Sequence, residues 1–300
     1  MNKKFRIPFL TMERRYGIAG LMFISPFLIG FFLFFIFPVI SSVQRSFAHV
    51  TFTDAREVLE PVGFENYHDL FFRNPDFPQL LLGYFMIMLP QLIIVLIFAM
   101  FIALILQQEF FGRTLARAVF FLPVIVSSGI VISILGADLT NQAMRENTTI
   151  FITNNRILMD IMIDAQIGAN VMETVINVVG IIFDLAWRSG VQILLFLAAL
   201  TSIPKSFYEA SNIEGASGWA TFWKITFPMI SPYILVCIVF TIVDSFTDYS
   251  NELIHYIYDH IRLLNYGPAS AMAWVYTVSV LIVLGIILGL TSRRVFYMVD

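Results

Sequence analysis

The chain has 300 residues, of which 58% are hydrophobic and only 13% are charged, and its formal net charge is −3. A soluble domain carries about 25% charged residues, so this composition excludes a soluble fold. The apolar runs reach about the 20 residues that cross a bilayer as a helix, and they lack the alternating pattern of a membrane β-barrel. The composition therefore predicts an all-α polytopic membrane protein.

Six apolar segments along the chain predict six transmembrane helices. A basic tail at residues 1–17 precedes the first segment, which is too long for a secretory signal peptide and is followed by no small-x-small cleavage site, so we expect an uncleaved span. Pro90 lies inside the second segment, where membrane helices tolerate a kink. Within a single transmembrane domain at residues 18–300, the predicted spans are residues 18–40, 80–106, 118–137, 181–203, 229–247 and 268–291.

Two long polar loops separate the early spans. Residues 41–79 contain six acidic residues, and residues 138–180 form the second loop. From the end of that loop into the fourth span, apolar residues recur at helical spacing with polar residues opposite, which predicts an amphipathic helix on the membrane surface before the chain turns inward. The apolar positions are Val171, Val175, Val178 and Ile182, and the polar ones are Asn170, Glu173 and Asn177.

The distribution of Lys and Arg predicts which loops are cytoplasmic. Eleven of the 18 lie in the N-terminal tail, the 107–117 loop, the 204–228 loop and the C-terminal tail, and these eleven include all four Lys. Six Arg are spread over the longer loops of the opposite side. Because positive charge accumulates in cytoplasmic loops, both termini and the 204–228 loop are predicted to be cytoplasmic. Residues 41–79 and 138–180 are then extracytoplasmic.

The stretch from Glu209 to Pro228 has a compact polar and glycine pattern. Gly215 interrupts a helix-compatible segment, and apolar residues then recur at helical spacing. This pattern predicts a helix, a glycine turn and a second short helix lying across the spans, with Pro228 starting the fifth span. The apolar positions are Trp219, Phe222, Trp223 and Ile225. The residues alone leave open an amphipathic loop that only rests on lipid headgroups.

The spacing in this stretch resembles the signature loop of permease subunits of ABC importers: Glu-Ala-Ala, three residues, Gly, nine residues, Ile-x-Leu-Pro. The matching positions here are Glu209, Ala210, Ser211, Gly215, Ile225 and Pro228. The chain departs from the signature at Ser211, Glu214 and Phe227, where the family has Ala, Asp and Leu. The segments SPFLIGFFLFFIFPVISSVQRSF and LLFLAALTSIPKSFYEASNIEGA also resemble the first permease of maltose-, glycerol-phosphate- and oligosaccharide-type importers.

This resemblance implies the type I permease fold and a role as the transmembrane subunit of an ATP-driven sugar or oligosaccharide importer. A second, related permease would complete an alternating-access path, a dimer of ATPase subunits would bind ATP and Mg, and an extracytoplasmic binding protein would deliver the cargo. The location would be the bacterial cytoplasmic (inner) membrane. The residues that would couple to the ATPase are Glu209, Ala210, Ser211, Glu214, Gly215, Trp219, Phe222, Ile225 and Pro228.

Ionisable residues inside two predicted spans suggest a transport path, because charges in a membrane are costly and mark functional sites. At about 1.5 Å per residue, Asp184 and Asp244 both lie roughly 20–30 Å above the cytoplasmic ends of their spans. An ion pair between Asp184 and Arg188 that only holds the bundle together, or a contact with the second permease, is the alternative. The candidate path residues are Asp184, Trp187, Arg188, Gln192, Asp244, Asp248 and Tyr249.

The sequence has no Walker glycine loop, no HExxH and no GxSxG motif. We therefore expect no ATPase or other enzymatic activity and no cofactor on this chain. Cys237 lies inside an apolar run and is predicted to be a small buried hydrophobe. A competing hypothesis is a stand-alone secondary carrier that uses Asp184, Asp244 or Asp248 as proton sites, and an intramembrane enzyme is a more distant one.

Overall fold

Long apolar helices make up most of the chain in the computed structural model, which describes residues 12–53, 56–127, 169–248, 250–293 and 295. In chain order the elements are α1 (Met12–Phe31), a π-helical segment (Phe32–Ile36), α2 (Phe37–Ser46), β1 (Ala48–Thr53), β2 (Arg56–Pro61), α3 (Glu65–Phe72), α4 (Asp76–Gln107), α5 (Arg113–Ser127), α6 (Ala169–Arg188), α7 (Gly190–Ser202), α8 (Lys205–Ile213), α9 (Gly218–Thr221), a second π-helical segment (Phe222–Thr226), α10 (Phe227–Thr247), α11 (Glu252–Arg262) and α12 (Tyr266–Ser292).

Four helical runs among the described residues are long and apolar enough to cross a bilayer: Tyr16–Ser46, α4, the run that begins at Gly218, and α12. The α6–α7 pair would make a fifth, although its two helices bend by 61° at their junction. A mostly helical, multi-pass membrane protein is thereby confirmed. Of the predicted third span, the structure describes only the part within α5, and residues 128–137 lie outside the described residues.

The described residues divide into two compact units. The first comprises the chain up to Pro78 together with Tyr256–Tyr276, and the second comprises Gln79–His255 and the chain from Thr277 onward. The hairpin of β1 and β2 belongs to the first unit and corrects the all-α prediction. Apolar and polar residues alternate in β1, as is typical of a half-buried strand, whereas β2 has Val58 and Leu59 as adjacent apolar residues. The strands pair antiparallel from Ala48 opposite Pro61 to Thr53 opposite Arg56.

Side chains after the hairpin fix the first unit around buried Ser46. The Asn66 amide donates to the carbonyls of Ser46 and Ala48, both at 3.0 Å, and the Tyr67 hydroxyl donates to Ser46 Oγ at 2.8 Å. Gly267 approaches the same backbone so closely that a Cβ there would lie 2.5 Å from the Ala48 carbonyl oxygen. The predicted polar loop at residues 41–79 is therefore an ordered unit in which α2 continues to Ser46.

Both π-helical segments lie immediately before a Phe-Pro pair, Phe37-Pro38 in one case and Phe227-Pro228 in the other. A proline in a helix removes one hydrogen bond and crowds the preceding turn, and a wider π turn relieves both problems. Pro228 therefore lies within a continuous helical run from Gly218 to Thr247. The short helix predicted before Pro228 is α9, and Pro228 lies in the first turn of α10, but no break in the helical backbone separates the two.

The core of the second unit packs α7 against α4 and α10. Ala99 and Ala103 of α4 are fully buried in this core. Phe196 of α7 and Ile230 of α10 fill the same cluster, and Cys237 is buried there, as predicted. The coupling loop predicted between the fourth and fifth spans is thus connected at both ends to helices of one packed core.

Candidate functional site

Helix α8 ends in a glycine turn at the predicted position. Gly215 has φ +71°, a left-handed conformation that favours glycine. Its N–H donates to the Asn212 carbonyl at 3.1 Å, and the Ala216 N–H donates to the Ser211 carbonyl at 3.0 Å. These two bonds define a Schellman motif, which satisfies the last carbonyls of the helix. Gly215 therefore sets the angle at which the chain leaves α8.

The second arm of the turn starts with a side-chain cap. The Ser217 hydroxyl accepts a hydrogen bond from the Ala220 N–H at 3.3 Å, as N-cap residues do. From Gly218 the chain is helical without interruption through the π-helical segment and α10. We call α8, the turn and residues 218–226 the coupling hairpin. Its second arm is continuous with α10, so a displacement of the hairpin displaces that helix.

Two side-chain hydrogen bonds join the arms of the coupling hairpin. The hydroxyl oxygens of Ser211 and Thr221 lie 2.6 Å apart, and the hydroxyl groups of Tyr208 and Thr226 lie 3.2 Å apart. Ser211 is 5% exposed and Thr226 is 4% exposed, so water competes little for either bond. At Ser211, where the family signature has Ala, this chain has a hydrogen bond between the arms.

The outer surface of the coupling hairpin combines large apolar side chains with carboxylates. Ile213 is 87% exposed and Trp219 is 73% exposed, and Glu209 and Glu214 are exposed beside them. Trp223 connects this surface to the helix, with ring centroids 5.6 Å from Trp219 and 5.0 Å from Phe227. Of the other predicted coupling residues, Ala210 is exposed and Phe222, Ile225 and Pro228 are half-buried. The hairpin thus presents a surface suited to a protein partner.

The predicted intramembrane charges meet around Arg188, the last residue of α6. Arg188 Nε lies 3.0 Å from both carboxylate oxygens of Asp184, one turn earlier, and Nη1 donates to Asp248 Oδ2 at 2.6 Å. All three side chains are half-buried, between 27% and 39% exposed. Asp248 also accepts the Ser250 N–H and hydroxyl on its other oxygen at 2.9 and 2.7 Å. The ion pairs therefore join the α6–α7 junction to the C-terminal end of α10.

Asp244 lies one turn before Asp248 on α10 and lines a small cavity with Arg188. The cavity has about 20 Å³, which is room for one water molecule and not for a sugar. Its polar lining includes three residues that the sequence did not single out, Gln91, Thr241 and Ser245. Gln91 follows Pro90 in a strongly apolar span, and its isolated polarity there is the sequence signal that would have identified it.

Gln192 is fully buried and stabilises the junction of α6 and α7. With its amide oriented to satisfy all its neighbours, its nitrogen donates to the carbonyls of Arg188 and Ser189 at 3.1 and 3.2 Å. Its oxygen accepts from the Thr241 hydroxyl of α10 at 2.8 Å. A broken helix in a membrane must satisfy its freed carbonyls internally, and Gln192 does so. In this conformation Gln192 has no surface available to a ligand.

The fourth span is not the single helix predicted at residues 181–203. Its first part belongs to α6, which begins at Ala169 and carries the predicted amphipathic pattern, and the chain bends only at Ser189. Trp187 is 39% exposed and stacks on Phe183 with ring centroids 6.0 Å apart. Tyr249, the remaining predicted path residue, lies outside the described residues. The loop predicted at residues 248–267 contains α11.

Comparison with known proteins assigns the family. Residues 178–299 match the family described as binding-protein-dependent transport system inner membrane component. The chain is 30% identical to the probable ABC transporter permease protein YesP of Bacillus subtilis, over 95% of this chain and 94% of that protein. The chain therefore belongs to the ABC transporter permease family. Its members are non-enzymatic transport components, and ATP hydrolysis takes place in a separate ATPase.

Other similar proteins are named for sugars. The arabinooligosaccharides transport system permease protein AraP of Bacillus subtilis is 26% identical over 76% of this chain and 69% of its own length. The lactose transport system permease protein LacF of Rhizobium radiobacter is 29% identical over 75% of this chain and 72% of its own length. A crystal structure of a bacterial alginate ABC transporter in complex with alginate pentasaccharide-bound periplasmic protein contains a chain that shares this fold, with a TM-score of 0.61. The two sequences are 18% identical, and the match covers 94% of this chain and 96% of that one.

Proposed function

We propose that this chain is a transmembrane subunit of an ATP-driven importer of sugars or oligosaccharides in the bacterial cytoplasmic membrane. It has six spans and cytoplasmic termini, and with a second permease it encloses an alternating-access path. The observation that carries the proposal is the coupling hairpin, which is exposed on its outer surface and continuous with α10. The distribution of Lys and Arg supports the orientation, because it assigns this hairpin to the cytoplasmic side.

The coupling hairpin is the docking element for the ATPase subunits, which bind ATP and Mg. Ile213 and Trp219 supply the apolar area typical of a buried interface centre, and Glu209 and Glu214 supply charge beside it. When the ATPase dimer closes on ATP, the hairpin moves. Because the arms are hydrogen-bonded to each other and the second arm continues into α10, the motion reaches the intramembrane charges around Arg188.

The second permease covers the first span. The membrane window within Tyr16–Ser46 is strongly apolar, and none of its 18 residues is buried by the rest of the described chain. Phe23, Phe27 and Phe34 are each more than 70% exposed. Lipid and a second transmembrane subunit are both compatible with such a surface, and the family assignment favours a subunit over part of it.

The cargo passes near the polar cavity lined by Gln91, Arg188 and Asp244. Sugars need hydrogen-bond donors, acceptors and aromatic faces, and Asp184, Asp248 and Trp187 add these. The named relatives that transport arabinooligosaccharides and lactose support a carbohydrate cargo. An extracytoplasmic binding protein delivers it, as the alginate transporter complex suggests. The cavity is too small for a sugar here, so transport needs a second conformation of these helices.

The hypothesis of a stand-alone proton-coupled carrier is not favoured. Asp184 and Asp248 are both ion-paired with Arg188, so neither is a carboxylate without a partner. The family assignment adds a separate motor, which such a carrier lacks.

Affinity purification of the tagged chain from its native host tests the assembly. We expect a second permease and an ATPase to co-purify with it. Ile213→Asp should release the ATPase and retain the second permease, because it places a charge in the centre of the docking surface. Phe72→Asp is the matched control, since Phe72 is comparably exposed at 78% on α3 of the first unit, and it should retain both partners. Recovery of the chain without an ATPase in the unsubstituted form would refute the proposal.

A further inference from the structure

We propose that α6 pivots about Ser189 and Gly190 during transport, and that Arg188 exchanges Asp248 for Asp244 as it does so. We call Ser189 and Gly190 the hinge and the Arg188–Asp248 ion pair the latch. This inference rests on the proposed transport function and specifies which helix moves and which residues hold it in each state.

The hinge is a preformed break that needs no helical hydrogen bonds to be rebuilt when its angle changes. The helices on its two sides already bend by 61°. The Arg188 carbonyl accepts from the Gln192 side chain, which belongs to α7, and the Ser189 carbonyl accepts from Gln192 and from the Ile193 N–H, also on α7. The side-chain amide follows small movements of those carbonyls more easily than a backbone ladder does, so the hinge can bend at low cost.

The two sides of the hinge are packed very differently. On α7, seven of 13 residues are buried, and Gln192 bonds to Thr241 of α10. On α6, large apolar side chains are 39–60% exposed within the described chain; they are Val178, Val179, Ile181, Ile182, Phe183 and Trp187. Burial in a close-packed core resists displacement. The α7–α10 pair therefore moves as one body with the coupling hairpin, and α6 is the element free to pivot relative to that pair.

The latch is the ion pair that opposes this pivot. Arg188 is the last residue before the hinge, and its other partner, Asp184, lies on α6 and moves with it. The 2.6 Å bond from Arg188 Nη1 to Asp248 instead crosses from α6 to α10. A pivot of α6 must break it, and a half-buried guanidinium in a membrane is costly to leave without a carboxylate on that side.

Asp244 is the second acceptor that removes this cost. It precedes Asp248 by four residues, so the two carboxylates lie on one face of α10, about 6 Å apart along its axis. Asp244 lines the same cavity as Arg188, and within the described part of the chain its carboxylate accepts no hydrogen bond. The cavity between them has room for only one water molecule, so the Arg188 guanidinium reaches Asp244 only as the pivot of α6 widens it. Arg188 is then paired with α10 in both states, and only the partner changes.

Pairs of spin labels on the complete transporter in lipid nanodiscs test the exchange. Ile182→Cys on α6 and Val243→Cys on α10 place labels at positions that are 53% and 48% exposed, while Cys237 is buried and unreactive. We expect two label distances whose populations shift when ATP is added. Asp248→Asn should favour the pivoted state about tenfold, and Asp244→Asn should favour the latched state about tenfold, because each removes the acceptor of one state.

The double variant makes the prediction sharp. Asp244→Asn with Asp248→Asn weakens both states alike and should return the populations to within about twofold of the original ratio. Asp259→Asn is the control, since Asp259 is exposed and pairs within α11 with Arg262, and it should shift nothing. A single label distance under all conditions, or single variants that shift the populations in the same direction, would overturn the exchange. Sugar uptake by the unsubstituted complex is measured in parallel: its absence refutes the proposed function, and normal uptake with unresponsive distances refutes only the hinge.

Discussion

Gly215→Val is expected to abolish coupled uptake while leaving membrane insertion and folding intact. A Cβ at Gly215 would meet no atom within 4 Å, so the substitution causes no steric clash with neighbouring residues. The expected effect comes from the backbone conformation, because a φ of +71° is strained for a residue with a side chain. The left-handed conformation costs an L-residue about 1–2 kcal/mol, and more for a β-branched one. That energy is too small to unfold the protein and large enough to open the turn. The ATPase would then displace α8 without displacing α10.

Gly218→Val is the matched control for this prediction. Gly218 lies three residues further on, also has no atom within 4 Å of a Cβ, and has an ordinary φ. We expect Gly215→Val to lower uptake at constant ATPase content by at least about tenfold, the ratio that corresponds to about 1.4 kcal/mol. Gly218→Val should stay within about twofold of the original rate. Equal losses in both variants would show that the left-handed turn has no special role.

Arg188→Met is expected to be the most destabilising single substitution in the membrane part. It removes the cation between Asp184 and Asp248 and leaves two half-buried carboxylates facing each other. Removing one partner of a buried pair costs about 3–5 kcal/mol. Because the three side chains are 27–39% exposed, we expect a loss of stability near the lower end of that range. The thermal unfolding midpoint of the purified protein and its level in the membrane should both fall clearly.

Two comparisons separate this effect from the loss of a charge in general. Arg73→Met breaks a pair with the same i,i+4 spacing, Arg73 to Asp69 at 3.1 Å, but Arg73 is 70% exposed, and such pairs contribute at most about 1 kcal/mol. Adding Asp184→Leu and Asp248→Asn to Arg188→Met removes the unpaired charges and should recover most of the stability. Similar losses for Arg73→Met and Arg188→Met would contradict the importance of burial at Arg188.

The coupling hairpin could be predicted closely because local chemistry determines it. A glycine after a short helix predicts a left-handed turn, and the structure has that turn at Gly215 with Schellman hydrogen bonds. The continuity of the second arm with α10 could not be predicted, since a proline at position 228 ordinarily begins a helix. The π-helical segment that accommodates Pro228 has no reliable sequence signal.

The break at Ser189 was missed for a different reason. Hydropathy is uninterrupted across residues 181–203. The side chain that bonds to the carbonyls at the break is Gln192, and Gln192 is itself bonded to Thr241, 49 residues further along the chain. A contact at that separation is invisible to local periodicity. The bend also invalidates the helical-rise estimate for Asp184, because only the 13 residues of α7 follow the bend before that helix ends at Ser202. Arg188 nevertheless reaches Asp248 by direct contact, so the predicted grouping of Asp184, Arg188 and Asp248 is observed.

The hairpin of β1 and β2 shows the opposite error. The alternation in HVTFT of β1 was visible, but the overall composition assigned every element to helices, and REVLE of β2 has no such alternation. Outside the apolar segments a membrane protein follows the same rules as a soluble one, and β1 has the period of two that is typical of a half-buried strand. Composition predicted the class of the protein and did not predict the structure of its polar parts.

Uptake by purified protein in liposomes tests the central claim most directly. The chain is reconstituted alone, and separately as the complex with its co-purifying permease and ATPase, and labelled oligosaccharide is followed with its binding protein outside. We predict uptake only by the complete complex with ATP inside, and loss of that uptake with Gly215→Val. Uptake by the single chain driven by a proton gradient, without ATP, would contradict the account.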